Sequence, residues 1–159
     1  HTKSHCDWSS DVCSSDLKLY EAAMQYKKEK KEIIVLAGDN YGCGSSRDVA
    51  AKGPLLIGVK VIVAKGFERI HRSNLIGMGL LPLEFKKGQG IEELGIISAD
   101  QFSLIGLNKI NNNNKKVLMK IHKETGDIID VQLNVRLDVP EEVTFWKNGG
   151  ILPTAFKEA

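Results

Sequence analysis

The stretch Ala37-Gly38-Asp39-Asn40-Tyr41-Gly42-Cys43-Gly44-Ser45-Ser46-Arg47-Asp48 decides how this sequence is interpreted. The run Ile33–Ala37 leads into it. This run is short, apolar, rich in β-branched residues and bounded by turn residues, as is typical of a buried strand. The three glycines predict a loop, because glycine readily adopts positive φ. Ser45 and Asp48 suit the start of a helix. The local prediction is therefore a strand, a glycine-rich loop and a helix N-terminus.

This loop and helix start predict a site for a small anion. A helix N-terminus offers unpaired N–H groups and a partial positive charge. Arg47 can hold a carboxylate or phosphate with two hydrogen bonds, and two serine hydroxyls precede it. No lysine follows Gly44, so the stretch is not a P-loop, and Arg47 replaces the third glycine of a dinucleotide-binding fingerprint. A nucleophile elbow is also absent. From the residues alone, a loop that only turns the chain remains the alternative.

The rest of the chain predicts an α/β fold. Strands near residues 59–64 and 80–85, separated by a helix over 67–77, predict parallel pairing with right-handed crossovers. The other predicted elements are a helix over 19–26, a helix from 47 or 48 to 52 that Pro54 disturbs or restarts and that closes over 55–58, a strand over 101–105, a hairpin of 117–122 and 128–135 with Gly126 in its turn, a helix opened by Pro140 and ended by Gly149-Gly150, and a last helix near 152.

The composition is that of an ordinary globular domain. The chain has 159 residues, of which 42% are apolar and 26% charged, enough to bury a core. It contains no run of about 18 apolar residues, so no membrane span is expected. The net charge of +2 is too small to indicate a nucleic-acid partner.

Residues 1–17 differ from the remainder. They hold two of the three cysteines and two of the four histidines, but Asp7–Leu17 resembles the translation of a DNA-sequencing adapter. We therefore interpret residues 1–17 as a non-native, disordered tail, not a metal site, and residues 18–159 as the domain. Removing the tail removes one lysine and three aspartates, which makes the net charge +4, and leaves Cys43 as the remaining cysteine. A single cysteine indicates a reducing, cytoplasmic location.

Three blocks resemble the C-terminal, swivelling domain of the aconitase family. They are Gly42-x-Gly44-Ser45-Ser46-Arg47-Asp48-x-Ala50-Ala51-Lys52-Gly53-Pro54, the block Phe67–Leu83 containing Arg69-Ile70-His71-Arg72-Ser73-Asn74, and Phe145–Leu152. The likeness covers residues 18–159 and is closest to the branch of bacterial aconitases and iron-regulatory proteins. It implies a swivelling β/β/α domain with a mixed sheet, crossover helices, and a C-terminal hairpin and helices. It also implies that the chain is a fragment of a larger enzyme.

The resemblance implies an iron–sulfur hydro-lyase of the tricarboxylic acid cycle, which interconverts citrate and isocitrate through cis-aconitate. Ser45 would be the catalytic base, as its alkoxide, and Ser46 and Arg47 would hold a substrate carboxylate. A helix N-terminus and a guanidinium stabilise such an anion in a site that excludes water. Four further residues are candidates for a supporting role. They are Gly44, Asp48, His71 and Arg72, of which His71 and Arg72 have a structural hydrogen bond and a salt bridge as their ordinary alternatives.

The family's [4Fe-4S] cluster is held by three cysteines in a preceding region, two of them in a Cys-x-x-Cys pair that this chain lacks. We therefore expect the ligands to lie outside this chain, assign no metal to Cys43, and expect the chain alone to be inactive. The expected partners are a small tricarboxylate and the missing N-terminal catalytic domains. A 2-methylcitrate dehydratase, a homoaconitase and an RNA-binding iron-regulatory role remain alternatives, although the charge gives the last no support.

Overall fold

The computed structural model describes residues 3–5, 21, 24, 32–44, 48–97 and 100–158. Among these residues, seven strands form one mixed sheet in the order β1-β2-β3-β4-β7-β6-β5. The strands are β1 Lys3–His5, β2 Ile33–Leu36, β3 Val59–Ala64, β4 Leu81–Glu84, β5 Gln101–Ile105, β6 Lys116–His122 and β7 Ile128–Val135. The helices are α1 Asp48–Leu56, α2 Arg69–Gly77, α3 Pro140–Asn148 and α4 Ile151–Glu158, with a 3-10 turn over Leu107–Lys109.

The first half of the sheet is parallel. β2 pairs with β3, and β3 pairs with β4, with α1 and α2 as the two crossovers. Every residue of β2 is buried, and β3 is buried except at Lys60, because a strand covered on both faces needs apolar side chains at every position. The predicted parallel pairing is confirmed.

The second half of the sheet is antiparallel. β4 pairs with β7, β7 with β6, and β6 with β5. β6 buries every second residue, which is the pattern of a strand with one face on a core. Gly126, at a φ of 94°, sits in the turn between β6 and β7 and donates its N–H to the Lys123 carbonyl. The predicted hairpin and the strand over 101–105 are confirmed.

The two faces of β2 belong to two cores. Ile33 and Val35 pack with buried residues of α1 and α2, whereas Ile34 and Leu36 pack with side chains of the antiparallel half. The sheet curls, so that β2 and β5 share the walls of a cavity of about 370 Å³ although they stand far apart in the strand order. The parallel strands therefore lie between two cores, one shared with α1 and α2 and the other with the antiparallel half.

The C-terminal helices pack backbone to backbone on α2. Gly79 and Gly150 both have positive φ, and a Cβ on Gly150 would lie 2.6 Å from the carbonyl oxygen of Gly77. A Cβ on Gly79 would lie 2.6 Å from the carbonyl oxygen of Gly149. The turn between α3 and α4 therefore fits against the end of α2 only because both segments lack side chains there. The predicted helix that begins at Pro140 and ends at Gly149 is confirmed.

Helix α1 ends within the predicted 55–58, but it passes through Pro54 without the predicted disturbance or restart. The helix continues through Pro54 to Leu56. Pro54 lies in the last turn, so its missing N–H removes one helical hydrogen bond close to the natural end of the helix. Its ring is buried, and this burial offsets part of that cost.

The N-terminal segment is described only in part. Residues 3–5, expected to be disordered, form β1, which pairs in parallel with β2. The other residues of 1–17 lie outside the described residues, and the non-native origin of this segment stays a prediction. Of the helix predicted over 19–26, Glu21 and Met24 are described, and both are helical.

Candidate functional site

The glycine-rich loop lies at the carboxyl edge of the parallel strands. It leaves β2 at Ala37, whose N–H donates to the Val63 carbonyl of β3 (2.8 Å). The loop then runs beside the segment that follows β3, because Tyr41 accepts from the Glu68 N–H (3.0 Å) and donates to the Gly66 carbonyl (2.9 Å). Ligands bind at this edge in open α/β sheets, where the loops after neighbouring strands meet.

The loop turns sharply through three left-handed residues. Asn40, Gly42 and Gly44 have φ angles of 52°, 88° and 84°. The Cys43 N–H donates to the Asn40 carbonyl (2.9 Å) and closes the turn. Within the described part of the chain, a Cβ on Gly44 would meet no atom within 4 Å.

Three predicted site residues, Ser45, Ser46 and Arg47, lie outside the described residues, and their roles stay predictions. The described chain resumes at Asp48, the exposed first residue of α1. An acidic side chain in the first turn interacts favourably with the positive end of the helix dipole. The supporting candidates Gly44 and Asp48 therefore flank residues 45–47, with Gly44 at the end of the described loop and Asp48 at the start of α1.

His71 is brought directly beneath the loop. It is 2% exposed and lies in the first turn of α2, where its N–H donates to the Glu68 carboxylate (2.8 Å). Its ring lies 5.3 Å from the ring of Tyr41. A Cβ on Gly42 would lie 2.3–2.4 Å from the Cβ, Cγ and Cδ2 atoms of His71. The Gly42 backbone therefore rests on the imidazole with no room for a side chain.

Two further residues shape this site, Glu68 beneath the loop and Tyr41 within it, and sequence reasoning missed both. Glu68 is the N-cap of α2, and the hydrogen bond from the His71 N–H, with others from the same turn, lowers the pKa of its carboxyl. Glutamate is not among the favoured N-cap residues, so it gave no signal. Tyr41 is buried, and its ring meets that of Phe67 edge to face (5.9 Å). Its aromatic type and its place between glycines were the only signals available.

Arg72 is held away from a free binding role by an internal ion pair. Its Nη1 and Nη2 atoms each lie 2.9 Å from an oxygen of Glu142, and Nη1 also donates to the Arg136 carbonyl (2.9 Å). Nε lies 3.5 Å from the Asp138 carboxylate. The same Glu142 carboxylate accepts from the Asp138 N–H (2.6 Å), just before α3. These contacts give Arg72 a structural role, since they fasten α2 to α3.

The same network of ion pairs extends to the carboxyl end of β4. Arg136 pairs with Glu84 of β4 and with Asp138 (3.3 Å). The hydrogen bond to Asp138, followed by the one to Glu84, raises the pKa of the Arg136 guanidinium against the effect of burial. Burial alone would raise the pKa of Asp138, but the hydrogen bond from Arg136 and the charge of Arg72 outweigh it and lower that pKa.

The donor set of the described chain does not fit an iron–sulfur cluster. Within the described residues, no three or more His, Cys, Asp or Glu side chains converge on a point that could hold a metal ion. Cys43 is exposed and forms no disulfide, and one thiolate is fewer than the set of cysteines that holds an iron–sulfur cluster. In the same part of the chain, no helix is long and apolar enough to cross a membrane.

Known proteins match this chain by sequence. The chain is 48% identical to aconitate hydratase A of Corynebacterium jeikeium over 136 residues, and this alignment covers 84% of the chain. It is 42% identical over 157 residues, or 99% of the chain, to aconitate hydratase A of Francisella tularensis. The Thermus thermophilus protein of the same name is 47% identical over 86% of the chain. The matched regions are 14–16% of the length of these relatives.

A solved structure supports the fold, and a family match supports the sequence resemblance. The crystal structure of 3-isopropylmalate dehydratase from Methanocaldococcus jannaschii matches with a TM-score of 0.59 and 22% identity, over 99% of this chain and 91% of that one. The model of the aconitase C-terminal domain family matches residues 5–88, which include both the glycine-rich loop and α2. The chain therefore belongs to the aconitase C-terminal domain family.

Proposed function

We propose that this chain is the swivel domain of an aconitate hydratase, and that it supplies the catalytic base and a carboxylate site for the interconversion of citrate and isocitrate. The proposal is carried by the Gly42-Cys43-Gly44-Ser45-Ser46-Arg47 motif, whose described parts lie between β2 and α1 at the carboxyl edge of the sheet. The named relatives, at 42–48% identity, support the same enzyme class.

In this proposal Ser45 removes the proton from the carbon beside a substrate carboxylate. A serine alkoxide is a strong base that forms at great cost in water, so it needs nearby positive charge and exclusion of solvent. Ser46 and Arg47 bind a carboxylate and so fix the substrate's orientation, Arg47 with two parallel hydrogen bonds. The start of α1 adds the partial positive charge of a helix N-terminus.

The remainder of the enzyme completes the site. We propose that it holds the [4Fe-4S] cluster, since the donors described in this chain do not fit one. The chain alone is then expected to hydrate no cis-aconitate, because it lacks the cluster and the rest of the substrate pocket. The proposal includes a cytoplasmic enzyme of the tricarboxylic acid cycle, in keeping with the single cysteine of residues 18–159.

The test is Ser45→Ala in the full-length enzyme that carries this domain. Loss of a general base is expected to lower kcat about 10²–10⁴-fold, with a smaller change in KM. Ser73→Ala is the matched control, because Ser73 is an exposed serine of α2 outside the motif. Full activity of Ser45→Ala, with its cluster intact, would refute the assignment.

Substrate comparison tests the enzyme class separately from the base. The full-length enzyme should show its highest kcat/KM with citrate, isocitrate or cis-aconitate, and lower values with 2-methylcitrate and homocitrate. A preference for either of the latter acids would move the domain to a sister dehydratase while leaving the role of Ser45 intact. Turnover by the isolated chain would overturn the proposed division of labour.

A further inference from the structure

The inference concerns how the glycine-rich loop keeps its shape, and it rests on the proposed function. The loop has three anchors among the described residues. Its start is tied to β3, its centre pairs with the segment over 66–68, and its left-handed Gly42 presses on the His71 ring. The first two anchors are backbone hydrogen bonds that many sequences could make, whereas the third depends on one side chain.

The contact between Gly42 and His71 is tight and specific. A Cβ on Gly42 would lie 2.3 Å from two ring atoms of His71 and 2.4 Å from its Cβ. Real Cβ atoms do not approach that closely, so the backbone of Gly42 occupies the space directly against the ring. The His71 backbone N–H is bound by Glu68 in the first turn of α2, and the His71 ring lies 5.3 Å from the Tyr41 ring at an interplanar angle of 59°.

We propose that His71 is a positioning residue, whose ring is the platform that fixes the loop and so the direction in which Ser45 follows it. Ser45 comes three residues after Gly42. Because Gly42 and Gly44 are glycines at positive φ, the loop has little stiffness of its own, and its shape depends on what it rests on. A displacement of about 1 Å at a catalytic group can cost about 100-fold in rate.

The contacted atoms suggest which substitutions will restore function. Gly42 meets the Cβ, Cγ and Cδ2 atoms of His71, all of which are carbons. Phenylalanine has the same three atoms in the same planar arrangement, and asparagine has Cβ, Cγ and a planar atom in the place of Cδ2. A platform needs this shape and not the imidazole nitrogens. A residue that exchanges protons with the substrate needs the nitrogens.

The experiment compares His71→Ala, His71→Phe and His71→Asn in the full-length enzyme, with kcat and KM per intact cluster, the pH–rate profile and the thermal midpoint as readouts. His71→Ala is expected to lower kcat/KM about 10–100-fold without changing the shape of the pH profile. Phe or Asn should restore most of the loss. His122→Ala, on β6, is the matched histidine control and should leave kcat, KM and the pH–rate profile unchanged, with only its hydrogen bond to Ser103 lost.

A double-mutant cycle tests the contact itself. Gly42→Ala should lower kcat/KM in the native background, and it should do less harm in the His71→Ala background, where the ring it strikes is gone. If His71→Ala does not fold, the same cycle with His71→Ser replaces it, because serine has no atom in the place of Cδ2 and should again relieve part of the effect of Gly42→Ala.

The outcomes separate this inference from the proposed function. An inactive Ser45→Ala with a fully active His71→Ala refutes the platform and leaves the proposed function standing. Equal losses in His71→Phe, His71→Asn and His71→Ala, with one limb of the pH profile missing, make His71 a proton-transferring residue and also refute it. Additive effects of Gly42→Ala and His71→Ala would show that the contact does not govern the loop. An active Ser45→Ala removes the proposed function first.

Discussion

The parallel and antiparallel halves of the sheet differ in the burial of their strands and in the role of their glycines. In the parallel half the strands are short and buried on both faces, and glycines sit where backbones or a ring come too close for a side chain. In the antiparallel half, β6 and β7 are longer and bury mainly every second residue. Gly126 there turns the chain, and a Cβ on it would meet no atom within 4 Å.

The difference shows which half of the fold tolerates fewer substitutions. The antiparallel half needs a hydrophobic pattern and a turn, and many sequences supply both. The parallel half needs particular residues at particular points, because its loops and helix ends pack backbone against backbone. The candidate site belongs to the parallel half, which tolerates fewer substitutions. The antiparallel half supplies the wall against which the inner face of β2 packs.

The largest expected effect that would test this contrast is on ion pairs. Arg72→Met leaves the buried Glu142 carboxylate without its partner and is expected to lower the free energy of unfolding by about 3–5 kcal/mol. Lys120→Met breaks the exposed pair with Asp130 in the hairpin and should cost less than about 1 kcal/mol. Urea denaturation of the two variants gives the comparison. Similar losses would mean that the halves do not differ in this respect.

A smaller effect is expected from two glycines at positive φ. Gly126→Ala should cost about 1 kcal/mol, because it adds only the strain of a left-handed alanine. Gly150→Ala adds a Cβ 2.6 Å from the Gly77 carbonyl oxygen, so it should cost about 3 kcal/mol. The difference between their unfolding free energies isolates the close approach of α2 to the turn between α3 and α4. Equal losses would break the contrast.

The smallest effect sharpens the contrast, since the antiparallel half also contains a buried ion pair. Asp100 is fully buried, accepts from the Ile97 N–H (2.8 Å) and lies 3.2 Å from the Lys123 Nζ atom. Burial acts to raise the pKa of Asp100, but the Ile97 hydrogen bond and the Lys123 ammonium outweigh it and lower that pKa below 3.8. Asp100→Asn should lower the free energy of unfolding by about 1–3 kcal/mol at pH 7.

The sign of its pH dependence follows from that lowered pKa. A carboxyl that is more acidic in the native than in the unfolded chain stabilises the fold above the unfolded pKa, and this contribution is lost as the pH falls through the native pKa. The gap between wild type and Asp100→Asn should therefore be constant near neutral pH and shrink below about pH 3.8. Urea midpoints from pH 7 to pH 3 measure it. A gap that widens in acid would contradict the assignment.

Much of the fold could be predicted because it depends on local pattern. The hairpin followed from alternation around Gly126, and α3 followed from Pro140 at its start and Gly149 at its end. Pro54 was misjudged because the local cost of proline is visible in the sequence, whereas the burial that offsets it is a tertiary property.

The candidate site was only partly predictable for the same reason. The motif indicated a glycine-rich loop and a helix start, and the described parts of both follow β2 in that order. The role of Arg72 could not be read from the sequence, since its partner Glu142 is 70 residues away. Nor could the contact of His71 with Gly42, because it requires the segments that follow β2 and β3 to lie side by side.

The interlocked glycines at the end of α2 also constrain motion. Gly79 and Gly150 are seated so closely against opposing carbonyls that α2 cannot slide past the turn between α3 and α4 without steric collision. Because His71 is part of α2, the floor of the loop is coupled through these close contacts to the turn between the last two helices.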